Sequence, residues 1–251
     1  KNLKLEAKID VSRPGKRIFS GHEHILSKVE EEIRKIFLSL NFSGVEGPEL
    51  ETDYYNFDAL NIPENHPARD AWDTFWVKGG GLEGKNGKYL MRTHTSPVQI
   101  HYMENHKPPL QIIVPGRVFR YEATDFSHET NFYQIEGLMV GKDISFANFK
   151  YVIEQFFKKF FGKDVEARFR PHYFPFTEPS FEVDIKFKGK WLEMMGAGMV
   201  HRNVFKAAGY DPDEYQGFAF GMGLERLAMI KYKIPDIRLF HSGDLRFINQ
   251  F

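Results

Sequence analysis

A ribbon of strand-forming residues with charges inside it has few ways to fold, and Val118 to Val140 (VFRYEATDFSHETNFYQIEGLMV) is such a ribbon. Val118, Phe119 and Tyr121 on one side, and Phe132, Tyr133, Ile135, Leu138, Met139 and Val140 on the other, are residues that strands favour. Between them stand Arg120, Glu122, Gln134 and Glu136, with Asp125 and His128 in the joining loop. Charged groups on central strands are costly unless paired or put to use. The ribbon is therefore expected to be two strands that turn these four side chains into one cleft.

The rest of the chain supplies scaffold on both sides of that ribbon. Residues Lys1 to Arg17 lack periodicity and read as a lead-in, with one domain over residues 18–251. From His22, Ile25, Leu26, Val29, Ile33, Ile36, Phe37 and Leu40 form one helical stripe, ended by Asn41 and Gly44. A strand is expected at Val45 to Leu50, at an edge or interface because Pro48 removes a ladder donor. Thr52 to Asp73 reads as a polar-aromatic loop, a lid or a subunit contact, followed by a flexible turn at Gly79, Gly80, Gly81, Gly84 and Gly87. A strand at Tyr89–Thr93 leads to a helix capped by Thr95 or Ser96, with Pro97 just inside, running to Asn105. A separate strand at Gln111–Val114 precedes the ribbon.

Beyond the ribbon, Phe146, Phe149, Ile153, Phe156, Phe157 and Phe160 predict a helix over Phe146–Phe161, capped by Ser145 and ended by Gly162. Strands are expected at Val165–Arg170, at Phe181–Lys188, where apolar and polar residues alternate, and at Trp191–Met195. Gly196 to Met199 reads as a small-residue turn. A last strand at Gly217–Phe220 feeds a helix from Gly223 to Lys233. Strands mostly follow strands through short turns, which predicts α+β architecture with a mixed, mainly antiparallel sheet flanked by helices.

Composition narrows the chemistry. The 34 basic and 34 acidic residues cancel, so long-range attraction to a nucleic-acid backbone is not built into the whole chain. The absence of cysteine excludes disulfides, thiolate-bound zinc and thiol nucleophiles, and fits a cytoplasmic protein. No apolar run reaches transmembrane length and no secretory-signal pattern opens the sequence, so no membrane role is expected. Gly221 and Gly223 precede Arg226 at a strand-to-helix junction, where free N–H groups and the helix dipole attract an anion. Arg226 in the first helical turn opposes that dipole unless an anion binds beside it. A dinucleotide-binding reading fails, because Arg226 replaces the third glycine and no ribose-binding acid follows. Arg120 and Glu122 flank Tyr121 and would share a strand face, either as a solvated ion pair or as site residues. His128, in a loop, fits simple solvation equally well, and His22 with His24 finds no third ligand for zinc. Phe174 and Phe176 flank Pro175, whose extended geometry would set both rings on one side as walls of an aromatic slot, unless they are plain core.

The helix with Pro48, the ribbon with Phe-Arg-Tyr-Glu and the GxGxxR helix stand in the order of the three motifs of class II aminoacyl-tRNA synthetases. TDYYNFDALNIPENHPARDAWDTFW, RTHTSPVQIHYM, VPGRVFRYEATDFSHETNFYQIEG, FPFTEPSFEVDI, GAGMVH and GFAFGMGLERLAM resemble the bacterial-type phenylalanyl-tRNA synthetase alpha-chain family from Gly15 to Phe251. That resemblance implies an antiparallel catalytic domain without the family's N-terminal coiled-coil arm. It implies that Arg120 holds the α-phosphate of ATP, Glu122 the adenine amino group, and that Phe132 and Arg226 sandwich the adenine, with Gly221 and Gly223 beside it. Arg226 and His128 would reach the terminal phosphates. Trp72, His94, Ser96, Gln134 and Glu136, with Thr95 as a lining residue, would fix the ammonium and carboxylate of phenylalanine. Phe174 and Phe176 would meet its ring, and Ala219, with Ala197, Gly198 and Gly221, would line the space for it. Glu178 matches a Mg²⁺ position shared with the partner chain. The implied partners are a beta subunit in an (αβ)₂ heterotetramer, met through the helix of residues 22–41 and Pro48, and tRNA(Phe). Two competing readings are a non-catalytic synthetase-like paralog, which loss of Arg120 or Arg226 would favour, and a class II enzyme for another amino acid, against which the Phe174–Phe176 slot and Ala219 argue.

Overall fold

Strict alternation from Phe181 onward asks for a strand with one buried face, and in the computed structural model that strand is longer than the pattern, Thr177–Phe187. The structure describes residues 21–71, 73–78, 83–84 and 87–251, with Ser12 and Gly15. The expected lead-in, apart from those two residues, lies outside the described residues, as do Trp72 and Gly79 to Gly81.

The strands are β1 (Ser43–Gly44), β2 (Leu50–Thr52), β3 (Glu83–Gly84), β4 (Gly87–Met91), β5 (Leu110–Phe119), β6 (Asn131–Gly141), β7 (Glu166–Phe174), β8 (Thr177–Phe187), β9 (Lys190–Val200) and β10 (Gln216–Gly223). The α-helices are α1 (Ile25–Leu38), α2 (Asp53–Asn56), α3 (Ala68–Ala71), α4 (Ser96–Asn105), α5 (Phe146–Phe161), α6 (Arg202–Ala207), α7 (Leu224–Tyr232) and α8 (Leu245–Ile248). The main sheet runs β1-β5-β6-β10-β9-β8-β7, and a small one runs β2-β4-β3. Every pairing is antiparallel except β1 with β5. The architecture is thus α+β with a mixed, mainly antiparallel sheet.

Local chemistry accounts for the helix ends. Ser145 and Asn148 form a reciprocal capping box at the start of α5, and Gly162 ends it at φ 115°. β8 turns into β9 through Lys188 and Gly189, both at positive φ, as a two-residue hairpin requires. On one face of the sheet, Phe37 of α1 lies between Phe156 of α5 at 4.9 Å and Phe220 of β10 at 5.3 Å, each ring stacked on the next. Phe149, Phe157, Phe160 and Phe218 extend this layer. The opposite face carries a second cluster, with Phe57, Leu60, Ile62, Val98 and Ile100 covering Ile112, Val114, Leu138 and Val140. That cover does not extend along the whole face, and the uncovered part forms the site.

Four local expectations are corrected. The strand expected at Val45–Leu50 does not form: β1 ends at Gly44 and β2 begins at Leu50, and between them the carbonyls of Gly47 and Pro48 accept from Arg92 instead of entering a ladder. Gln111–Val114 is not separate but continues through Pro115 and Gly116 into the ribbon as β5. Thr52–Asp73 contains α2, a 3-10 turn at Asp58–Leu60, and α3. Gly196 to Met199 is not a turn but the middle of β9. The small residues there serve close approach: a Cβ on Gly196 would lie 2.7 Å from the Phe174 ring, and one on Gly198 2.5 Å from the Pro179 carbonyl.

Gly137 supplies a sharp test of the aromatic layer. It pairs with Phe220, and a Cβ there would fall 2.1 Å from that ring. Gly137→Ala is expected to cost ~1–3 kcal/mol in denaturant unfolding, with partial recovery in the Gly137→Ala/Phe220→Leu double variant. Additive losses would show that the ring is not what the methyl group meets.

Candidate active site

The uncovered face is built where β6 and β10 pair, with Gln134 opposite Gly223 and Glu136 opposite Gly221. Alternation puts Phe132, Gln134 and Glu136 on the same face, and Ala219 and Gly221 join them from β10. A cavity of about 290 Å³ opens here, lined by His94, Ser96, Arg120, Gln134, Glu136, Phe174, Phe176, Ala197, Ala219 and Gly221 among others. Beside it lies one of about 210 Å³ lined by Arg120, Glu122, His128, Phe132, Gly223, Glu225 and Arg226. A groove touching Arg120, Phe132, Gln134, Gly221, Gly223 and Arg226 connects the two, so Arg120 lines all three.

Glu136 is the electrostatic centre of the larger cavity. It is 5% exposed and accepts from Thr95 N–H at 3.1 Å, Ser96 Oγ at 2.5 Å and Gln99 Nε2 at 2.9 Å. Among the described residues no cation lies within ion-pair distance of it. Burial pushes its carboxyl above the usual range, while the Ser96 and Thr95 hydrogen bonds pull the other way. Two residues along β6, the Gln134 Oε1 is buried without a hydrogen-bond partner among the described residues. A buried carboxylate and a buried amide oxygen on one wall form a seat for a small cation with N–H donors.

Arg120 is held from two sides. Its Nε donates to the Thr93 carbonyl at 3.0 Å, and its guanidinium lies 5.1 Å from the centre of the Phe132 ring. Burial lowers its pKa, opposed by Glu122 and Glu136. Burial also pushes His94 down to about 3, helped by Arg120, so this ring is neutral at ordinary pH. On the apolar side of the cavity, the Phe174 and Phe176 rings are parallel at 5.8 Å with 7° between planes. Arg226 is exposed on the first turn of α7, and no ion pair or hydrogen bond holds its side chain among the described residues.

The expected shared strand face of Arg120 and Glu122 is corrected. β5 ends at Phe119; Arg120 N–H still donates to Thr130, but Glu122 N–H turns back onto the Arg120 carbonyl. A tight turn, not strand alternation, brings both to the same cavity. Thr95 contributes its N–H to Glu136 from the N-cap of α4 and does not line the cavity. Gly198 also lies outside the lining, facing Thr177 and Pro179. His128 is held in its loop by Asp125, whose carboxylate lies 3.0 Å from Nδ1. Trp72 lies outside the described residues. Glu178 projects to solvent with its side chain 79% exposed, 3.4 Å from His201 Nε2. Among the described residues no three His, Cys, Asp or Glu side chains come together as a metal cage. A single open carboxylate fits a cation shared with other oxygen donors, not one enclosed by this chain.

Sequence reading missed Gln99, Thr177, Glu182, Glu193 and Gly196, which line the larger cavity, and Glu225 in the smaller. Gln99 was findable: it stands three residues after Ser96 on the same helix, and so on the same face.

Comparison with known proteins gives a consistent result. The model of the family described as tRNA synthetases class II core domain (F) matches residues 8–251. The phenylalanine–tRNA ligase alpha subunit of Caldicellulosiruptor saccharolyticus is 54% identical over 256 residues, covering 97% of this chain and 73% of that protein. The alpha subunit from Proteus mirabilis is 54% identical over 252 residues, covering 100% and 74%. Pyrrolysyl-tRNA synthetase from Desulfitobacterium hafniense superposes with a TM-score of 0.68 over 90% of this chain and 76% of that one; at 18% identity this shows a shared fold.

The burial of His94 has a measurable sign. Its folded pKa, about 3, lies below the unfolded 6.5, so across that interval the proton binds the unfolded chain more. The stability is complete above the unfolded pKa and is lost as pH falls. Between pH 7 and 5 the wild type is expected to lose ~2 kcal/mol more than His94→Asn, read from urea unfolding at each pH. Parallel pH profiles would refute the buried neutral ring.

Proposed function

The chain belongs to the phenylalanine–tRNA ligase alpha-subunit family, built on the class II tRNA synthetase core, and from this we infer that it is the catalytic subunit that activates L-phenylalanine with ATP and transfers it to tRNA(Phe). The observation that carries the reading is the buried Glu136, without an ion-pair partner among the described residues, beside Gln134 Oε1, at one end of a cavity whose other end is the Phe174–Phe176 slot. An amino acid with a benzyl side chain offers an ammonium to the first and a ring to the second.

In this reading Gln134, Glu136, Ser96, His94 and Trp72 fix the ammonium and carboxylate, with Thr95 acting through its N–H. Phe174 and Phe176 flank the ring, and the small side chains of Ala197 and Ala219, with Gly198 behind them, leave it space. The neighbouring cavity takes ATP. Arg120 neutralises the α-phosphate, Glu122 accepts from the adenine amino group, and Phe132 and Arg226 bracket the purine beside Gly221 and Gly223. Arg226 and His128 extend to the terminal phosphates. That Arg120 lines both cavities supports its place at the reacting centre.

The chemistry needs no protein nucleophile. A substrate carboxylate oxygen attacks the α-phosphorus, the bond to the bridging oxygen breaks, and pyrophosphate leaves with the electron pair. A ribose hydroxyl at the tRNA 3′ end then attacks the carbonyl carbon, and AMP departs. Positioning and charge neutralisation by arginine account for the rate. Mg²⁺ bound with ATP would neutralise phosphate charge, and Glu178 would give one oxygen to an ion completed by a partner chain. The working assembly in this reading is an (αβ)₂ heterotetramer in the cytoplasm.

Pyrophosphate exchange in the presence of the beta subunit tests the reading with all twenty amino acids. Phenylalanine is expected to drive it, with tyrosine ~10²-fold weaker because an apolar slot rejects one hydroxyl poorly. Exchange with a different amino acid, or none, overturns it. Arg120→Ala is expected to lower kcat/KM by ~10²–10³-fold. Ala219→Gly is expected to raise kcat/KM for 4-chlorophenylalanine by ~10-fold relative to phenylalanine, as room for a few extra atoms implies. Tyr-tRNA hydrolysis by this chain alone is expected to be absent, with editing carried on the beta subunit.

A further inference from the structure

Two walls of the ATP cavity come from elements that separate at the site. β10 pairs with β6 as far as Gly223 opposite Gln134, and then the chain turns into α7. Beyond that point the ladder is continued by a side chain. Both carboxylate oxygens of Glu225 accept the Tyr133 N–H, at 2.9 and 3.0 Å. Glu225 is 1% exposed, on the first turn of α7. Its neighbours in sequence are the functional walls: Phe132 precedes Tyr133 on β6, and Arg226 follows Glu225 on α7, and both line the cavity.

We propose that Glu225 is a positioning residue for ATP: by holding Tyr133 N–H where β10 leaves the sheet, it sets the distance between Phe132 and Arg226 and so the width of the purine slot. The inference deepens the functional reading above and rests on it. A shorter or absent acceptor at 225 would release β6 from α7 without touching the amino-acid cavity, which Glu225 does not line. Arg120, Glu122, His128, Glu129 and Arg226 share the ATP cavity, yet among the described residues none forms an ion pair with Glu225. Burial pushes this carboxyl up to about 8 against the pull of its own N–H and that of Tyr133. The neutral side chain is therefore the form to imitate, and glutamine is its conservative variant.

The test is phenylalanine-dependent pyrophosphate exchange by the chain assembled with its beta subunit, with ATP and phenylalanine varied separately. Glu225→Ala and Glu225→Asp are expected to raise KM for ATP about tenfold, the loss of one buried hydrogen bond, and to leave KM for phenylalanine within about twofold. Glu225→Gln, which keeps an acceptor at the same reach, is expected to stay within about threefold of wild type for both. If the alanine variant does not fold, the aspartate variant carries the test, since it keeps the carboxyl group and shortens only its reach. The proposal is overturned if both KM values rise together, if only kcat falls, or if the glutamine variant fails with the other two. Wild-type enzyme without phenylalanine-dependent exchange would instead overturn the functional reading, and this inference with it.

Discussion

The register between β6 and β10 decides what the rest of the molecule can do. It runs from Gln216 opposite Gly141 to Gly223 opposite Gln134, and a slip of one residue would turn Gln134 and Glu136 into the phenylalanine layer. Two glycines hold it. Gly137 leaves space for the Phe220 ring on the helix-covered face. On the other face Gly221 sits opposite Glu136, and a Cβ there would lie 3.1 Å from the Glu136 Cγ. One strand pair thus carries an aromatic core on one side and a charged cavity on the other, and its glycines keep both in contact with the backbone.

Where the two cavities meet, Glu136 and Arg120 are held by neutral donors and acceptors instead of opposite charges, whereas Asp184, further along the same face, is paired with Arg168 and Arg170. Glu136 rests on an N–H, a hydroxyl and an amide. Arg92, behind it, donates to the carbonyls of Gly47, Pro48 and Arg117. Arg120 holds a carbonyl and an aromatic face. A salt bridge would satisfy each ion within the protein and leave nothing for a ligand. Dipoles fix the geometry while keeping the net charge available, which is how preorganised electrostatic sites work in a low-dielectric setting.

The sequence revealed elements wherever local chemistry determined them. The stripe of Ile25, Val29, Ile33 and Ile36, the Ser145 cap and Gly162 gave helices close to those observed. Legibility failed where a distant contact overrode the local signal. Gly196 to Met199 looks like a turn because of its glycines, but Gly196 is small for Phe174, over twenty positions earlier, and Gly198 for Thr177 and Pro179. The Pro48 segment looks like one strand, yet a buried guanidinium claims its carbonyls. The site divides the same way. Phe174 and Phe176 could be paired from the proline between them, and Gln134 and Glu136 from their alternation. Glu225 could not be found so, because its partner is an N–H 92 residues away with no side-chain signature.

These buried and half-buried charged and polar groups make the site a thermodynamic burden on the fold. Replacing buried charged groups with well-packed apolar ones is often neutral or stabilising, whereas leaving one unpartnered costs several kcal/mol. Glu136, Arg120 and Glu225 therefore do not explain why the chain folds. That task falls to the opposite face, where Phe37 lies stacked between Phe156 and Phe220 and the layer continues through Phe149, Phe157, Phe160 and Phe218. The abundance of phenylalanine and the charges on the central strands, unrelated as sequence features, are linked by this sheet. A thick aromatic layer lets the other face stay polar and incompletely covered, and an incompletely covered face is where substrates can enter.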